Sequence, residues 1–165
     1  MTATPKCFIS YSWDSSEHKK WVVGFAEQLQ QSGIKVLLDE WDLKLGADLL
    51  NYMEESIRDS DFVLLVCTPE FAEKANSGTG GTGYEKSIVT GELFYHISSP
   101  TKFVPILRRG SCEEALPSYL KSRVYADFRI DLDFQESMEK LLRHLHNVPY
   151  VSRPQLGPRP SFKTP

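Results

Sequence analysis

Three cysteines, no long apolar run and no excess of basic charge set the first limits on this chain. Cys7, Cys67 and Cys112 are an odd number at wide spacing in 165 residues. With no CxxC pair and no nearby His pair they make neither a disulfide framework nor a zinc site. Reduced thiols in a cytoplasmic protein are the expectation. The longest apolar run, Phe62 to Cys67, is far too short to span a bilayer. The start, MTATPKCFIS, lacks the basic region and long apolar stretch of a signal peptide. A membrane partner is therefore not expected. With 19 basic and 22 acidic side chains the net charge is -3, which argues against direct nucleic-acid binding through a basic face. The four histidines form no metal-like grouping, and no GxSxG or Cys–His arrangement stands out. Neither a metal nor a bound cofactor is expected.

What is present is ordinary globular material: 41% hydrophobic and 25% charged residues, enough to bury a core without staples. Lys6 to Tyr11 (KCFISY) reads as a short buried strand. Asp14-Ser15-Ser16 offers helix N-caps, Trp21, Val22, Phe25, Ala26 and Leu29 recur at helical spacing, and Gly33 suits a C′ position. Ile34 to Leu38 is a second strand. A loop from Asp39 to Gly46 leads to a helix marked by Leu49, Leu50, Met53 and Ile57, with Asp48 at its start. FVLLVC at 62–67 has the continuous apolar character of a central parallel strand. A long loop from Thr68 to Gly83 follows, then a helix from about Tyr84 to His96. Lys102 to Leu107 is a fourth strand, in which Pro105 implies an edge-facing or interrupted position. Arg123-Val124-Tyr125 is a short fifth strand, and Phe134, Met138, Leu141, Leu142 and Leu145 make a final amphipathic helix. Prolines 149, 154, 158, 160 and 165 leave no room for regular structure, so residues 1–147 read as the domain and 148–165 as a linker or tail.

This alternation implies an α/β fold with a parallel sheet and helices on both faces. In such sheets ligands bind beyond the carboxyl ends of the strands. Those ends are Ser10-Tyr11-Ser12-Trp13, Asp39-Glu40-Trp41, Thr68-Pro69 with the glycine loop behind it, and Arg108-Arg109.

The stretch GTGGTGYEKSIVTGELF at 78–94 invites three chemical readings. A Walker loop fails, because Tyr84-Glu85 stands where Lys-Ser/Thr must follow the glycine. A dinucleotide GxGxxG fails on context, since it should follow the first strand directly. A carboxylate at a helix N-terminus remains. Glu85 falls in the first turn of the expected helix, where the dipole favours its charge. Glu92 lies seven residues on, roughly 10 Å further along the same face. Each also fits a plain helix-start or solvated glutamate.

Phe8-Ile9-Ser10-Tyr11-Ser12 with Asp14 closely resembles the first-strand motif of Toll/interleukin-1 receptor (TIR) domains. EHKKWV, LLDEWDLKLGADL, ESIRDSDFVLLVCTPEFAEKAN and GTGYEKSIVTGEL resemble, in order, the bacterial SEFIR-type branch of that superfamily. The resemblance covers about Lys6 to Leu145. It implies a flavodoxin-like three-layer fold with a five-stranded parallel sheet flanked by helices. It also implies one of two functions. The first is cleavage of NAD+ at the nicotinamide–ribosyl bond by an assembly-activated effector of bacterial anti-phage defence, with NAD+ as substrate and no cofactor. The alternative is a non-catalytic adaptor module in signalling. By position the family's catalytic glutamate maps to Glu85, beside Tyr84, with Glu92 as the fallback. The spacing departs from the family's, and an alignment anchored on Ile88-Val89-Thr90 points near Ser87. Ser10, Tyr11, Asp39, Trp41 and Tyr84 are the implied substrate-binding residues; Trp41 serves equally as a packing or assembly aromatic. Asp42, Leu43, Lys44, Leu45 and Gly46 match the family's BB loop, which implies head-to-tail self-association. The tail implies a downstream sensor domain or partner protein.

Overall fold

The computed structural model describes residues 3–77, 88–96 and 100–165. In chain order its principal elements are β1 (Lys6–Tyr11), α1 (Ser16–Gln31), β2 (Lys35–Leu37), α2 (Asp39–Asp42), α3 (Leu49–Asp59) and β3 (Phe62–Cys67). Then come α4 (Pro69–Ser77), α5 (Gly91–His96), β4 (Phe103–Leu107), α6 (Cys112–Ala115), β5 (Ala126–Asp127) and α7 (Phe134–Leu145). The strands form one parallel sheet in the order β2-β1-β3-β4-β5, the flavodoxin-like arrangement. The chain steps outward from β1 to β2 and then returns to β3 on the other side of β1. The switch point of the sheet therefore lies between β1 and β3.

Strand alternation builds two cores. Cys7, Ile9 and Tyr11 of β1 join Leu64 and Val66 of β3 against Val22, Phe25 and Leu29 of α1 and Met138, Leu141 and Leu145 of α7. Phe8 faces the other way, with Val63, Leu65 and Cys67, against Met53 and Ile57 of α3, Phe71 and Ala75 of α4 and Phe94 of α5. The first core holds an aromatic group in which Phe128 stands edge-on to Phe25 at 5.3 Å and to Phe134 at 5.6 Å. The Arg108 guanidinium lies 4.4 Å over the Trp21 ring, and its Nη1 donates to the Phe128 carbonyl and to Asp131, each at 2.8 Å.

Local signals explain several element ends. The Ser15 hydroxyl accepts from His18 N–H at 3.0 Å to start α1, and Gly33 at φ +86° follows its end. Asp48 caps α3 by accepting from Asn51 N–H at 3.0 Å.

Besides α2, which forms within the loop expected from Asp39 to Gly46, four expectations change. The loop after Thr68 begins with the helix α4: Thr68 accepts from Phe71 N–H at 3.2 Å, Pro69 opens the first turn and Glu70 follows. A cap, a first-turn proline and a first-turn acid are helix-start signals that were present in the sequence. The second change concerns the helix expected from Tyr84, which begins at Gly91. Thr90 is its cap, accepting from Leu93 N–H through its hydroxyl at 3.3 Å and from Phe94 N–H through its carbonyl at 2.9 Å. Third, β4 is interior in the sheet order, but β5 pairs only with Ile106 and Leu107. Beside Pro105 the sheet is thus open on one side, where a missing N–H is tolerated. Finally, the fifth strand falls at Ala126–Asp127 rather than 123–125. Residues 151–165 are exposed and carry no helix or strand.

Candidate functional site

The carboxyl ends of β1 and β3 meet at the switch point through buried hydroxyls. Ser12 Oγ lies 3.4 Å from Thr68 Oγ1, and both residues are fully buried. Ser12 also donates to Asp14 Oδ1. Asp14 receives Arg109 Nη2 on its other oxygen at 2.7 Å, and its side chain is 1% exposed while that of Arg109 is 54% exposed. Arg109 follows β4, so this ion pair ties the ends of β1 and β4 together across β3. The two neighbouring arginines thus part company: Arg108 is absorbed into the aromatic core, and Arg109 faces the carboxyl edge. Partial desolvation and then the adjacent Asp14 carboxylate push the Glu70 carboxyl, which is largely exposed, above its ordinary range, with Lys74 and Arg109 opposing.

Ser10, also fully buried, accepts from the backbone N–H of Val89 at 3.0 Å. Tyr119 donates its hydroxyl to the Val89 carbonyl. Val89 is therefore held from both sides, and the start of α5, just beyond it, is fixed against the end of β1. Glu92 occupies the first turn of α5. The expected spacing along one helix presumed a helix running on from Tyr84, whereas residues 88–90 carry no helix and α5 begins at Gly91. Tyr84 and Glu85 lie outside the described residues.

Tyr11 and Asp39 find each other. The tyrosine hydroxyl donates to Asp39 Oδ1 at 2.7 Å, and the same oxygen accepts from Glu40 N–H at 2.8 Å. Burial, then the hydrogen bond and charge of Asp39, hold the Tyr11 hydroxyl protonated far above its usual range. The pair locks the end of β1 to the one-turn helix α2. Trp41, on α2, is exposed, as is Leu45 in the turn that follows. In that segment Asp42 accepts from Leu38 N–H at 2.9 Å, Leu43 N–H reaches the Asp39 carbonyl at 2.9 Å, and Ala47 N–H reaches the Lys44 carbonyl at 3.0 Å. Gly46 stands at φ +85° beside them. The structure thus gathers Ser10 at the switch point, pairs Tyr11 with Asp39 one strand away, and leaves Trp41 and Leu45 projecting at the β2 edge.

Asp14, Ser12, Thr68 and Arg109 complete the arrangement. Their place at strand ends was readable from topology; their mutual contacts were not, because they join segments up to 95 residues apart. Cys7 and Cys67 are buried and uninvolved: burial, and then Asp61, raise the Cys7 thiol to about 12. Among the described residues no cluster of three or more His, Cys, Asp or Glu gathers as a metal site would require. No described helix is long and apolar enough to cross a membrane.

The TIR domain family model matches residues 7–142. A prokaryotic SEFIR domain of known structure is 37% identical, with a TM-score of 0.75, and the match covers 93% of this chain and 99% of that one. The TIR domain of the Toll-related receptor TRR-2 from the lower metazoan Hydra magnipapillata shares the fold at 20% identity, with a TM-score of 0.61 over 86% of this chain and 98% of that one. Among curated proteins none matches.

Proposed function

Because the chain belongs to the TIR domain family, we propose that it cleaves NAD+ at the nicotinamide–ribosyl bond, as an assembly-activated effector in bacterial anti-phage defence. The observation that carries this reading is the tether from Val89 N–H to Ser10 Oγ. It holds the first turn of α5, and with it the backbone of Glu92, at the switch point where α/β sheets bind ligands. In this reading Glu92, whose backbone stands in the first turn of α5, is the carboxylate put forward, with Glu85 as the alternative.

The chemistry asked of that carboxylate is electrostatic. As the bond from C1′ to the ring nitrogen breaks, nicotinamide leaves with the electron pair and positive charge spreads over the ribosyl ring. An ionised glutamate binding the ribose hydroxyls offsets that charge. Water adds to C1′ and releases a proton, giving ADP-ribose. In this reading Ser10 lines the same region, the Tyr11–Asp39 pair sets the shape of its β2 side, and Tyr84 keeps the substrate-binding role that the family resemblance implies.

Assembly enters through the loop that carries Trp41 and Leu45. Its acids Glu40 and Asp42 flank an exposed aromatic. At the opposite edge of the sheet a groove of about 610 Å³ runs beside β4, lined by Phe103, Pro105 and Leu141 together with Arg123, Lys140 and His144 and one acid, Asp127, which is paired with Arg129. Acid with apolar on one edge and base with apolar on the other suit head-to-tail contact between copies.

Nicotinamide release from NAD+ by protein clustered on a multivalent support tests the proposal. Glu92→Gln should lower turnover by about 10²–10³-fold, whereas Glu85→Gln should leave it within about tenfold. The reverse pattern moves the role to Glu85. No turnover by the wild type in any clustered state would sink the enzyme and leave the adaptor module.

A further inference from the structure

Beyond α7 the chain carries no helix or strand, yet its last segment is patterned. From Arg153 to Lys163 the residues alternate strictly. Pro154, Leu156, Pro158, Pro160 and Phe162 hold the even positions, and Arg153, Gln155, Gly157, Arg159, Ser161 and Lys163 the odd ones. In extended backbone successive side chains point to opposite sides, so this order makes one apolar face and one polar, basic face. Wound at three residues per turn, the same apolar groups would scatter around the axis. The prolines hold themselves and the residues before them extended, which lowers the entropy lost on docking. Leu156 and Phe162 are exposed in this molecule, and no acid occurs after Glu139.

We propose that this segment is a docking strand for the acidic, apolar surface around Trp41, Leu45 and Leu50 on a second copy of the chain. All three of those side chains are exposed. Between Asp39 and Glu55 six acids stand against one base, Lys44. Tyr11 engages Asp39, and Lys19 lies 3.2 Å from Glu40. Asp42, Asp48, Glu54 and Glu55 form no ion pair among the described residues. Leu50 and Glu54 stand one turn apart on α3, so apolar and acidic groups adjoin there. The apolar face of the strand covers Trp41, Leu45 and Leu50. The long stems of Arg153, Arg159 and Lys163 reach round it to the acids at the rim. Position selects a second copy as the occupant, and this step rests on the head-to-tail contact proposed above. Lys140 Nζ and Arg143 Cζ of α7 each lie 5.6 Å from the centre of the Tyr150 ring, which roots the tail beside the β4 groove that Lys140 lines. A neighbour's loop seated at that groove is next to the root. The chain's own loop lies at the far edge of the sheet, four strand spacings or roughly 19 Å away. Its own groove, with Arg123 and Lys140, repels a basic tail.

Two measurements on the full chain test this, and neither reads NAD+ cleavage. The first is the anisotropy of a labelled synthetic peptide of residues 149–165, for which saturable binding is expected. Leu156→Ser/Phe162→Ser in the peptide, a peptide of the same composition with its alternation broken, and Asp42→Lys/Glu54→Lys in the chain should each weaken binding by about tenfold or more. The second is zero-length carbodiimide crosslinking of mixed isotopically heavy and light chains. Lys163 should join Asp42, Asp48, Glu54 or Glu55 in heavy–light pairs. The peptide needs no row of copies to bind, so it reads the tail contact by itself. Sedimentation of Arg123→Glu/Lys140→Glu reads the groove contact separately; that variant should lose its rows and keep peptide binding, which makes failure of the head-to-tail contact distinguishable from failure of this one. Equal binding by the alternation-broken peptide, binding indifferent to Asp42 and Glu54, or crosslinks within single-isotope chains only would each overturn the proposal.

Discussion

Tyr11 and Asp39 show how a single hydrogen bond joins two elements. Removing the hydroxyl leaves a buried carboxylate oxygen short of one donor. Tyr11→Phe should therefore cost about 1.5–3 kcal/mol, read as a lower urea midpoint with an unchanged slope. His18 is the other telling residue. It is 3% exposed, and its Nε2 has no hydrogen-bond partner among the described residues. Burial lowers its pKa from 6.5; the Asp14 charge works the other way, and Arg109 and Arg108 add to the lowering. The folded protein thus holds His18 neutral, while the unfolded chain takes up its proton near the ordinary value. Its contribution to stability is complete above that value and is lost as pH falls through 6.5 towards the folded pKa. Urea titrations between about pH 7.5 and 5 should show stability declining toward acid, and His18→Leu should flatten that decline. Both side chains were visible as residue types in the sequence. Their partners were not, because Tyr11 and Asp39 are 28 positions apart.

Among the elements, α4 and α5 carry the sharpest lessons. Thr68-Pro69-Glu70 is a complete helix start: a hydroxyl cap, a first-turn proline and a first-turn acid within three residues. At α5 the β-branched run Ile88-Val89-Thr90 is a poor opening for a helix, and Thr90 is a good cap. The local chemistry therefore favours the later start that the structure has. What fixes α5 in place is not local, since Ser10 and Tyr119 hold Val89 from two other elements. The turn after β4 adds a constraint of its own. Gly110 sits at φ +86°, and a Cβ there would stand 2.9 Å from Pro69 Cγ at the start of α4. Gly110→Ala should destabilise the chain by at least about 1–2 kcal/mol, and amide exchange should quicken in α4 before α1. Equal protection in both helices would deny that coupling.

At the scale of the whole molecule, the sheet presents chemically opposite edges. Exposed Trp41 and Leu45 with acidic neighbours lie beyond β2, and the groove with Arg123, Lys140 and His144 lies beside β4 and β5. If assembly through these edges switches on NAD+ cleavage, turnover per mole should rise with protein concentration. Trp41→Ala/Leu45→Ser should lower it by about tenfold or more at fixed concentration, as loss of a central aromatic anchor does. Adding salt should shift the curve to higher concentration, because exposed charge pairs are screened. Turnover per mole that is constant from the most dilute sample upward would rule out activation by assembly.

The order of elements was decided by the sequence alone. Apolar periodicity, Ser15 and Asp48 as caps and Gly33 as a stop act within a few residues, so they can be read from a few residues. The α/β class and the carboxyl edge as the place for a site follow from that order and from the handedness of parallel crossovers. Tertiary structure decided the rest: where α5 is held against the end of β1, which of two arginines faces the site, and how Ser12, Thr68, Asp14 and Arg109 meet. Those outcomes depend on contacts between segments far apart in the chain. Only a sheet that brings β1, β3 and β4 side by side lets a buried hydroxyl or carboxylate find its partner.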